Sequence, residues 1–275
     1  MKISLKHILT SVNHILLVLT AALFSIPLVW ALKSAFTPTG EIFTTKLLDF
    51  PSKFSFENVR SGLAYAPFGT YFVNSLIVAI FVTSGILVTS TLAGFAFSKF
   101  EFRGKSFLFS FVIAGMLLPF QAILIPLFIE IRYLRLIDSL KGVALPVAIS
   151  GFGIFMMRQF MMSIPNELIE ASLLDGCSLQ QVFRRIVVPI SKGPIAALGA
   201  LAFLASWNNF LWPLVVVQNE AIMTIPLGLA LFRGNNATAY GEVFAVSLVA
   251  ALPVVLIFIF MRRQIVESFS TSGIK

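Results

Sequence analysis

Six apolar stretches without charged residues constrain the fold of this chain more than any other feature. Most of them are long enough for a helix of roughly 20 residues to cross a bilayer core of about 30 Å. Hydrophobic residues make up 58% of the chain and charged residues 12%, which is more apolar surface than a soluble fold buries. The pattern therefore predicts an all-α membrane protein with six transmembrane helices. The predicted spans lie at about 15–32, 71–98, 106–129, 140–158, 193–219 and 243–261, and the fourth of them adds flanking residues to a short charge-free stretch at 142–157.

The distribution of Lys and Arg predicts which segments face the cytoplasm, because cytoplasmic loops carry an excess of these residues. With both termini inside, twelve of the 20 Lys and Arg residues fall on the inner side. This orientation predicts a cytoplasmic amino terminus at 1–14, a cytoplasmic loop at 162–192 and a cytoplasmic tail at 262–275. The net charge of +8 then belongs mainly to loops beside lipid headgroups, and no soluble basic domain exists to bind nucleic acid.

The loop at 162–192 carries the signals of two short helices. Ser163 offers a capping oxygen and Pro165 a preset first-turn dihedral, which predicts a helix that starts near residue 164. Gly176 can adopt the left-handed conformation that closes such a helix. The pattern predicts a structured loop, and the alternative is an amphipathic connector that rests on the membrane surface.

A second helix is predicted to follow the break at Asp175 and Gly176. Ser178 and Gln181 have the spacing of a capping box, in which each side chain bonds to the backbone of the other residue. Pro189 is predicted to end this helix, because proline lacks the backbone N–H that a helix interior needs.

The residues in this loop also resemble a known motif. Glu170-Ala171-Ser172, Gly176 and Val188-Pro189 are similar to the EAA loop in permease subunits of ATP-binding cassette importers. Ser172 replaces the second alanine of that motif, and Val188 replaces a leucine. The segments at 71–76, 206–217, 224–232 and 262–275 look like the carbohydrate-uptake branch, the maltose-type second permease.

The resemblance implies a type I importer permease fold with a cytoplasmic coupling helix, in the inner membrane of a prokaryote. It implies that the loop docks on an ATPase. The implied coupling residues are Glu170, Ala171, Ser172, Asp175, Gly176 and Pro189. The implied partners are a second, nonidentical permease, two ATPase subunits and an extracytoplasmic solute-binding protein. The ATPase subunits would bind ATP and Mg²⁺, and this chain is expected to hold no cofactor or metal.

Other classes of protein fit the sequence less well. Ion-coupled carriers commonly place charged groups at membrane depth, and the six stretches contain none. The Gly-Lys-Ser at 104–106 has Lys99 where a phosphate-binding loop needs its first glycine, so a turn is predicted there. An intramembrane enzyme would need a buried histidine, a metal cluster or a carboxylate pair. The chain is therefore predicted to be a transport subunit without its own ATPase site, and an ion-coupled carrier stays the alternative from another class.

Candidate substrate contacts are harder to locate from sequence. Gln121, Trp207, Asn208 and Asn209 combine amides, which match sugar hydroxyls, with an aromatic face for stacking. Amides within a membrane can equally bond neighbouring helices. A carbohydrate or polyol is the expected substrate and a phosphorylated polyol the alternative. Because the six charge-free stretches hold no cation, a neutral solute is favoured.

Two further features concern packing and the outer surface. Ser90, Gly94 and Ser98 are spaced by four residues and predict a small-residue face for close helix packing. Gly234-Asn235-Asn236 predicts a turn on an outer loop. In the resembling family the corresponding loop reaches toward the binding protein, so this turn is a candidate contact, with an ordinary surface turn as the alternative.

Overall fold

The computed structural model describes the backbone of residues 5–44, 46, 49, 51–235 and 239–270, and their side chains except at 5–11, 233–235 and 262–270. These residues form α-helices, short 3-10 turns and one π-helical turn, and no β-strand occurs among them. The predicted all-α class is therefore confirmed. The helices are α1 Leu5–Ala35, α2 Glu57–Tyr65, α3 Phe68–Lys99, α4 Lys105–Leu117, α5 Phe120–Tyr133, α6 Leu140–Ala144, α7 Gly151–Met162, α8 Asn166–Leu174, α9 Leu179–Val182, α10 Val188–Ile190, α11 Lys192–Trp207, α12 Leu211–Val216, α13 Ile225–Asn235 and α14 Tyr240–Ser270.

Three single helices are long and apolar enough to cross a bilayer: Val12–Ala35, Phe68–Lys99 and Tyr240–Met261. Three helix pairs pass the same test but bend sharply between their halves. The bends are 103° between α4 and α5, 41° between Leu140–Val147 and α7, and 76° between Leu179–Ile190 and α11. If each pair is one span, the described residues contain six spans, which is the predicted number.

The breaks have local causes in the sequence. Leu118 is extended, with φ −76° and ψ 122°, because the ring of Pro119 disfavours a helical residue before it. The apolar stretch at 106–129 is therefore two helices instead of the one that was predicted. The stretch at 193–219 also divides, since α11 ends at Trp207 and α12 begins at Leu211.

The chain divides into two compact units, Met1–Phe68 with Leu229–Leu252 and Gly69–Gly228 with Pro253–Lys275. In the first unit, the buried Asn58 amide donates hydrogen bonds to the carbonyls of Ser34, at 3.3 Å, and Thr37, at 2.7 Å. Its Oδ1 accepts from the Thr39 hydroxyl at 3.2 Å. This one amide therefore fixes α2 to the end of α1.

In the second unit, α3 and α7 pack with almost no space between their backbones. A Cβ atom on Gly153 would lie 2.3 Å from Ser90 Oγ, and one on Gly94 would lie 2.7 Å from Met157 Cβ. A Cβ on Gly85 would lie 2.8 Å from the carbonyl oxygen of Ala148. The predicted small-residue face is thus confirmed at Ser90 and Gly94. Its partner is α7 of the same unit, and the close approach ties α3 to α7 at Ser90 and Gly94 and, through Gly85, to Ala148 just before α7.

Candidate functional site

The segment with the EAA-like residues is α8, and its start is held by a residue from α3. Lys99, at the end of α3, donates hydrogen bonds to the carbonyl of Ile164 and, at 2.8 Å, to Oδ1 of Asn166. The predicted cap from Ser163 is wrong, because its hydroxyl donates to the carbonyl of Phe160 at 2.7 Å. The hydroxyl is bonded back to the end of α7 and accepts no N–H of the next helix, so α8 starts at Asn166 with no side-chain cap.

The end of α8 has the geometry that the sequence predicted. Gly176 is left-handed, with φ +84°. Its N–H donates to the carbonyl of Leu173 at 3.1 Å, and the Cys177 N–H donates to that of Ser172 at 3.0 Å. These two bonds form a Schellman motif, which requires a left-handed residue at the Gly176 position. The chain therefore turns sharply at the tip of the loop.

The helix after this turn begins as predicted but does not end as predicted. Ser178 and Gln181 form the capping box, with bonds of 2.7 and 3.3 Å. The chain then stays helical through a π-helical turn, Phe183–Val187, and through Pro189 to Ile190. Pro189 lacks an N–H and occupies the first turn of α10, directly after the wider π-turn, where a missing donor is tolerated. The sharp bend comes two residues later, between Ile190 and Lys192.

The outward face of α8 combines an acid, a small residue and leucines. Glu170, Ala171, Asp175 and Gly176 are exposed, and Ser172 is half-buried with its hydroxyl bonded to the carbonyl of Leu168 at 2.6 Å. Leu168, Leu173 and Leu174 are 46%, 41% and 89% exposed. Three leucines exposed on a nine-residue helix indicate a contact surface for another molecule. We call α8 and the turn at 175–178 the α8 tip.

The last turns of α3 lie between the two arms of this loop, which are α8 and the helical stretch Leu179–Ile190. On one side Lys99 bonds to Ile164 and Asn166, and on the other Phe95 packs against Phe183 with ring centroids 5.2 Å apart. Sequence reasoning missed both α3 residues. Lys99 has the position of an ordinary membrane-edge lysine, and nothing in the sequence says which helix lies beside it.

A second cation strengthens the contact between α3 and α7. Arg158 donates from Nε to the carbonyl of Phe97 at 3.3 Å, and its guanidinium lies 4.1 Å from the ring centroid of Phe109. A guanidinium at this distance from an aromatic ring is attracted to its face. The ends of α3, α4 and α7 are therefore joined directly beside the start of α8.

Gly104 of the Gly-Lys-Ser at 104–106 lies in a turn, as predicted, and Lys105 and Ser106 begin α4. Gly104 has φ +84° and precedes α4. The Lys105 ammonium pairs with Glu101 at 2.8 Å, within the same turn. The lysine therefore has a partner in the chain and does not project into an anion-binding loop.

The predicted substrate residues occupy different environments. Trp207 is only 3% exposed, and its ring packs against Phe203 and Phe72 with centroids 5.7 and 5.4 Å away. An indole in this core has no open face on which a sugar could stack. Asn208 is exposed and its Nδ2 donates to the carbonyl of Leu204 at 3.0 Å. Gln121 is exposed in the first turn of α5.

Two of the helix breaks meet at Trp212, which is fully buried. Its backbone N–H donates to Asn209 Oδ1 at 3.4 Å, and its indole N–H donates to the carbonyl of Gly142 at 3.1 Å. The ring of Phe120 packs edge-on against it with centroids 6.2 Å apart. The starts of α5 and α12 are therefore neighbours, so Gln121 and Asn209 lie on adjoining helix starts.

The segment at 218–225, which we call the 218–225 clamp, is held by side chains from α3. The Tyr71 hydroxyl donates to Glu220 at 2.8 Å, and the Asn74 amide donates to the carbonyls of Ala221 and Met223, both at 2.9 Å. Ser75 Oγ accepts the N–H of Ile225 at 2.8 Å. These bonds explain why polar residues open an apolar transmembrane helix.

The predicted binding-protein contact follows this clamp in the chain. Gly234 and Asn235 are the last residues of α13, so they are helical and not part of a turn. Asn236 lies outside the described residues. The prediction of a turn at 234–236 is therefore wrong for its first two residues, because α13 continues through them.

Comparisons with known proteins agree on the class of molecule. Residues 85–266 match the family described as binding-protein-dependent transport system inner membrane component. The chain is 32% identical over 259 residues to the arabinooligosaccharides transport system permease protein AraQ of Bacillus subtilis, covering 92% of this chain and 91% of that protein. It is 32% identical over 272 residues to the sn-glycerol-3-phosphate transport system permease protein UgpE of Salmonella typhimurium, covering 96% and 97%.

A solved structure has the same fold. It is a bacterial ABC transporter involved in the import of the acidic polysaccharide alginate. The TM-score is 0.83 at 21% sequence identity, and the match covers 96% of this chain and 99% of that chain. This likeness confirms the predicted importer-permease fold.

Proposed function

Because this chain belongs to the family of binding-protein-dependent transport system inner membrane components, we propose that it is one of two permease subunits of an ATP-driven carbohydrate or polyol importer. The α8 tip carries this proposal. It projects exposed leucines and Glu170 from a rigid turn, and its first arm is tied to the bundle by Lys99. An exposed surface on an anchored lever suits a subunit that is moved by a partner.

In the proposed mechanism, an ATPase subunit that binds ATP and Mg²⁺ docks on the α8 tip. Glu170 pairs with a cation of that subunit, and the small Ala171 and Ser172 allow close approach. Asp175 and Gly176 form the turn, while Pro189 lies in the arm that returns to α11. When the ATPases close, α8 moves as a lever and pulls on α3 through Lys99.

Each of the two arms transmits the movement of the loop to a different group of helices. The first arm acts on α3 and α7, which are joined by the glycine contacts and by Arg158. The second arm runs through α9 and α10 to the 76° bend before α11. Moving the loop therefore changes the angle between α11 and the α3–α7 pair, which opens or closes a pathway on one side of the membrane.

A carbohydrate or polyol is the proposed substrate class. AraQ is named for arabinooligosaccharides and UgpE for sn-glycerol-3-phosphate, and both solutes are rich in hydroxyl groups. Gln121, Asn208 and Asn209 supply amides at helix breaks, where a pathway can be lined by polar groups. The second candidate is a phosphorylated polyol, which the likeness to UgpE favours.

The orientation follows from the same proposal. An ATPase that docks on α8 must be cytoplasmic, which places both termini in the cytoplasm and residues 218–225 outside. A solute-binding protein then delivers substrate at that outer end. Gly234, Asn235 and Asn236 follow the 218–225 clamp in the chain and are proposed to contact that protein.

The experiment is ATP-dependent uptake of a labelled sugar panel by the complex reconstituted with its partner permease, ATPases and binding protein. Glu170→Lys is compared with Glu101→Lys, which makes the same charge change at an exposed turn outside α8. We expect Glu170→Lys to abolish uptake while the complex still inserts, and Glu101→Lys to retain it. Uptake that follows an ion gradient without ATP, or equal activity of the two variants, contradicts the proposal.

A further inference from the structure

An open cavity of about 500 Å³ lies at the end of α5. It is lined by Phe128, Arg132, Arg135, Ile137 and Gln218. Both arginines are exposed, and neither guanidinium has a hydrogen bond or an ion pair with the residues whose side chains the structure describes. Two unpaired guanidiniums at one cavity make an attractive site for an anionic group. We call it the Arg132–Arg135 cavity.

The backbone around this cavity adopts a conformation that its residues do not favour. Arg135 has φ +58° and closes α5 in a Schellman motif, in which its N–H bonds to the carbonyl of Arg132 at 3.0 Å. The Leu136 N–H bonds to the carbonyl of Ile131 at 3.0 Å, which completes the motif. Glycine is the usual residue at this position. An arginine there indicates that the side chain has a use that outweighs the strain.

A second strained residue fixes the opposite wall. Asp138 has φ +53°, and its Oδ1 accepts hydrogen bonds from the N–H groups of Gln218 and, at 2.8 Å, Asn219. The Asp138 N–H donates to the carbonyl of Val216 at 3.1 Å. The carboxylate of Asp138, three residues after Arg135, is thus committed to the backbone. It holds Gln218 in the cavity wall while it leaves the guanidiniums available.

The cavity and the α8 tip are separated in the chain by α6 and α7. The stretch from Leu140 to Met162 is a bent helix pair that is long and apolar enough to be one span. If this pair is one span, the two sites are on opposite sides of the membrane. If α8 faces a cytoplasmic ATPase, as the proposed function has it, the cavity faces the outside.

We propose that the Arg132–Arg135 cavity receives carboxylate side chains of the solute-binding protein when that protein docks on this subunit. This inference rests on the proposed function. A carboxylate fits the fork of a guanidinium with two parallel hydrogen bonds, and the Gln218 amide adds a further polar group. The family depends on a binding protein that must reach this side of the membrane.

Because both arginines are exposed, a carboxylate of the binding protein is favoured over a free solute anion as the occupant of the cavity. A small anion held by two solvated guanidiniums in an open cavity would be screened by salt and would bind weakly. Charges at the rim of a protein interface act differently, because they steer the partner during encounter and raise the association rate. The geometry therefore suits a docking surface whose strength depends on ionic strength.

The experiment measures the association rate of the binding protein with the complex in lipid nanodiscs, at low and at moderate ionic strength. The informative variant is Arg135→Gly combined with Arg132→Gln. Glycine suits φ +58° better than arginine, so this change removes a guanidinium without loss of folding. The matched control is Arg60→Gln combined with Lys53→Gln, which removes two positive charges from the segment between α1 and α3 on the proposed outer side.

We expect the double variant to associate about tenfold more slowly at low ionic strength, with a smaller difference in higher salt. The control is expected to change the rate less, and basal ATP hydrolysis without binding protein is expected to stay the same. Replacing acids on the binding protein with lysine should in turn restore association to an Arg132→Glu, Arg135→Glu variant.

An unchanged association rate overturns the proposal. So does a variant in which only the KM for a solute changes, because the cavity would then take the solute itself. ATP-dependent uptake by the unaltered complex is measured in the same preparation. If that uptake is absent, the proposed function has failed. If it is present and association is insensitive to both arginines, only this inference has failed.

Discussion

The α8 tip and the 218–225 clamp are both polar segments between apolar helices. They differ in whether their groups are bonded within the chain or exposed. In the clamp, Tyr71, Asn74 and Ser75 bond to the loop, so its backbone groups are satisfied within the chain. In the α8 tip, the backbone is closed by a turn while Leu174 is 89% exposed. A segment satisfied from within supports the fold, whereas a rigid segment with unpartnered apolar surface is built for a partner.

The two regions are joined by α3. Its first turns hold the clamp through Asn74, and its last turn holds the start of α8 through Lys99. The close contacts of Ser90 and Gly94 with α7 stiffen the helix between these points. The comparison therefore predicts different outcomes for substitutions at the two ends. Changes at the clamp lower stability, and changes at the α8 tip alter coupling.

The largest expected effect is that of a charge on the exposed α8 surface. Leu174→Asp should leave the isolated subunit folded, because the side chain is already in solvent. Once an ATPase covers it, an unpaired carboxylate costs several kcal/mol, so we expect association with the ATPase to weaken by about 100-fold. Copurification and uptake measure this loss.

The control for this substitution is Leu134→Asp at the other end of the second unit, where the leucine is 53% exposed. It introduces the same charge and should leave ATPase binding unchanged. If Leu174→Asp also binds the ATPase normally, the α8 tip is not the docking surface. The predicted difference in role between the α8 tip and the clamp is then wrong.

A smaller effect is expected when the link between α8 and α3 is cut. Lys99→Met keeps the aliphatic stem but removes the bonds to Ile164 and Asn166. Charged hydrogen bonds of this kind contribute about 1.5–3 kcal/mol, so we expect the ratio of solute transported to ATP hydrolysed to fall about tenfold. ATP hydrolysis should persist, because the docking surface is intact. Lys99→Arg should restore part of the ratio.

Lys105→Met is the matched control for the Lys99 prediction. Lys105 pairs with Glu101, whose side chain is 91% exposed, and surface pairs of this kind contribute little. A merely structural role for Lys99 would lower the yield of folded complex without changing the coupling ratio. That outcome, or an equal response of both lysines, would exclude Lys99 as a positioning residue for α8.

How well the sequence predicted these features depends on how far apart along the chain the interacting groups lie. The left-handed Gly176 and the Ser178–Gln181 capping box depend on neighbouring residues, and both were predicted correctly. The break at Pro119 was not predicted, although its cause is equally local. The cap from Ser163 depends on equally close residues but was predicted wrongly, because its hydroxyl donates to the carbonyl of Phe160 instead of accepting an N–H of α8. Sequence shows that a hydroxyl can cap a helix but not which backbone group it bonds.

Contacts between distant residues could not be predicted. The bonds from Lys99 to Asn166 and from Asn74 to Met223 depend on which helices are neighbours, and one sequence does not give that information. Trp207 shows the same limit. An indole beside two asparagines matches a sugar chemically, but the rings of Phe72 and Phe203 enclose it.

A third prediction tests the clamp. Asn74→Ala removes the donor for the carbonyls of Ala221 and Met223 in a buried setting. Leaving buried acceptors unsatisfied costs about 1–3 kcal/mol, so we expect a lower midpoint of thermal unfolding in the purified complex. The coupling ratio in the folded fraction should be unchanged. Ser98→Ala on the same helix is the control, since its hydroxyl bonds only locally to Phe95, and an equal loss there would contradict this account.

The smallest expected effect concerns the turn that shapes the α8 tip. Ser178→Ala removes the hydroxyl that accepts the Gln181 N–H and should weaken the first turn of α9 by about 1 kcal/mol. This corresponds to roughly fivefold faster hydrogen exchange at the Gln181 amide. Ser163→Ala is the control, because that hydroxyl caps no helix start. Since the Schellman bonds at Gly176 do not involve Ser178, the turn should survive and uptake should change little. A large loss of uptake would show that binding of the partner depends on the conformation of α9 as well as on the surface of α8.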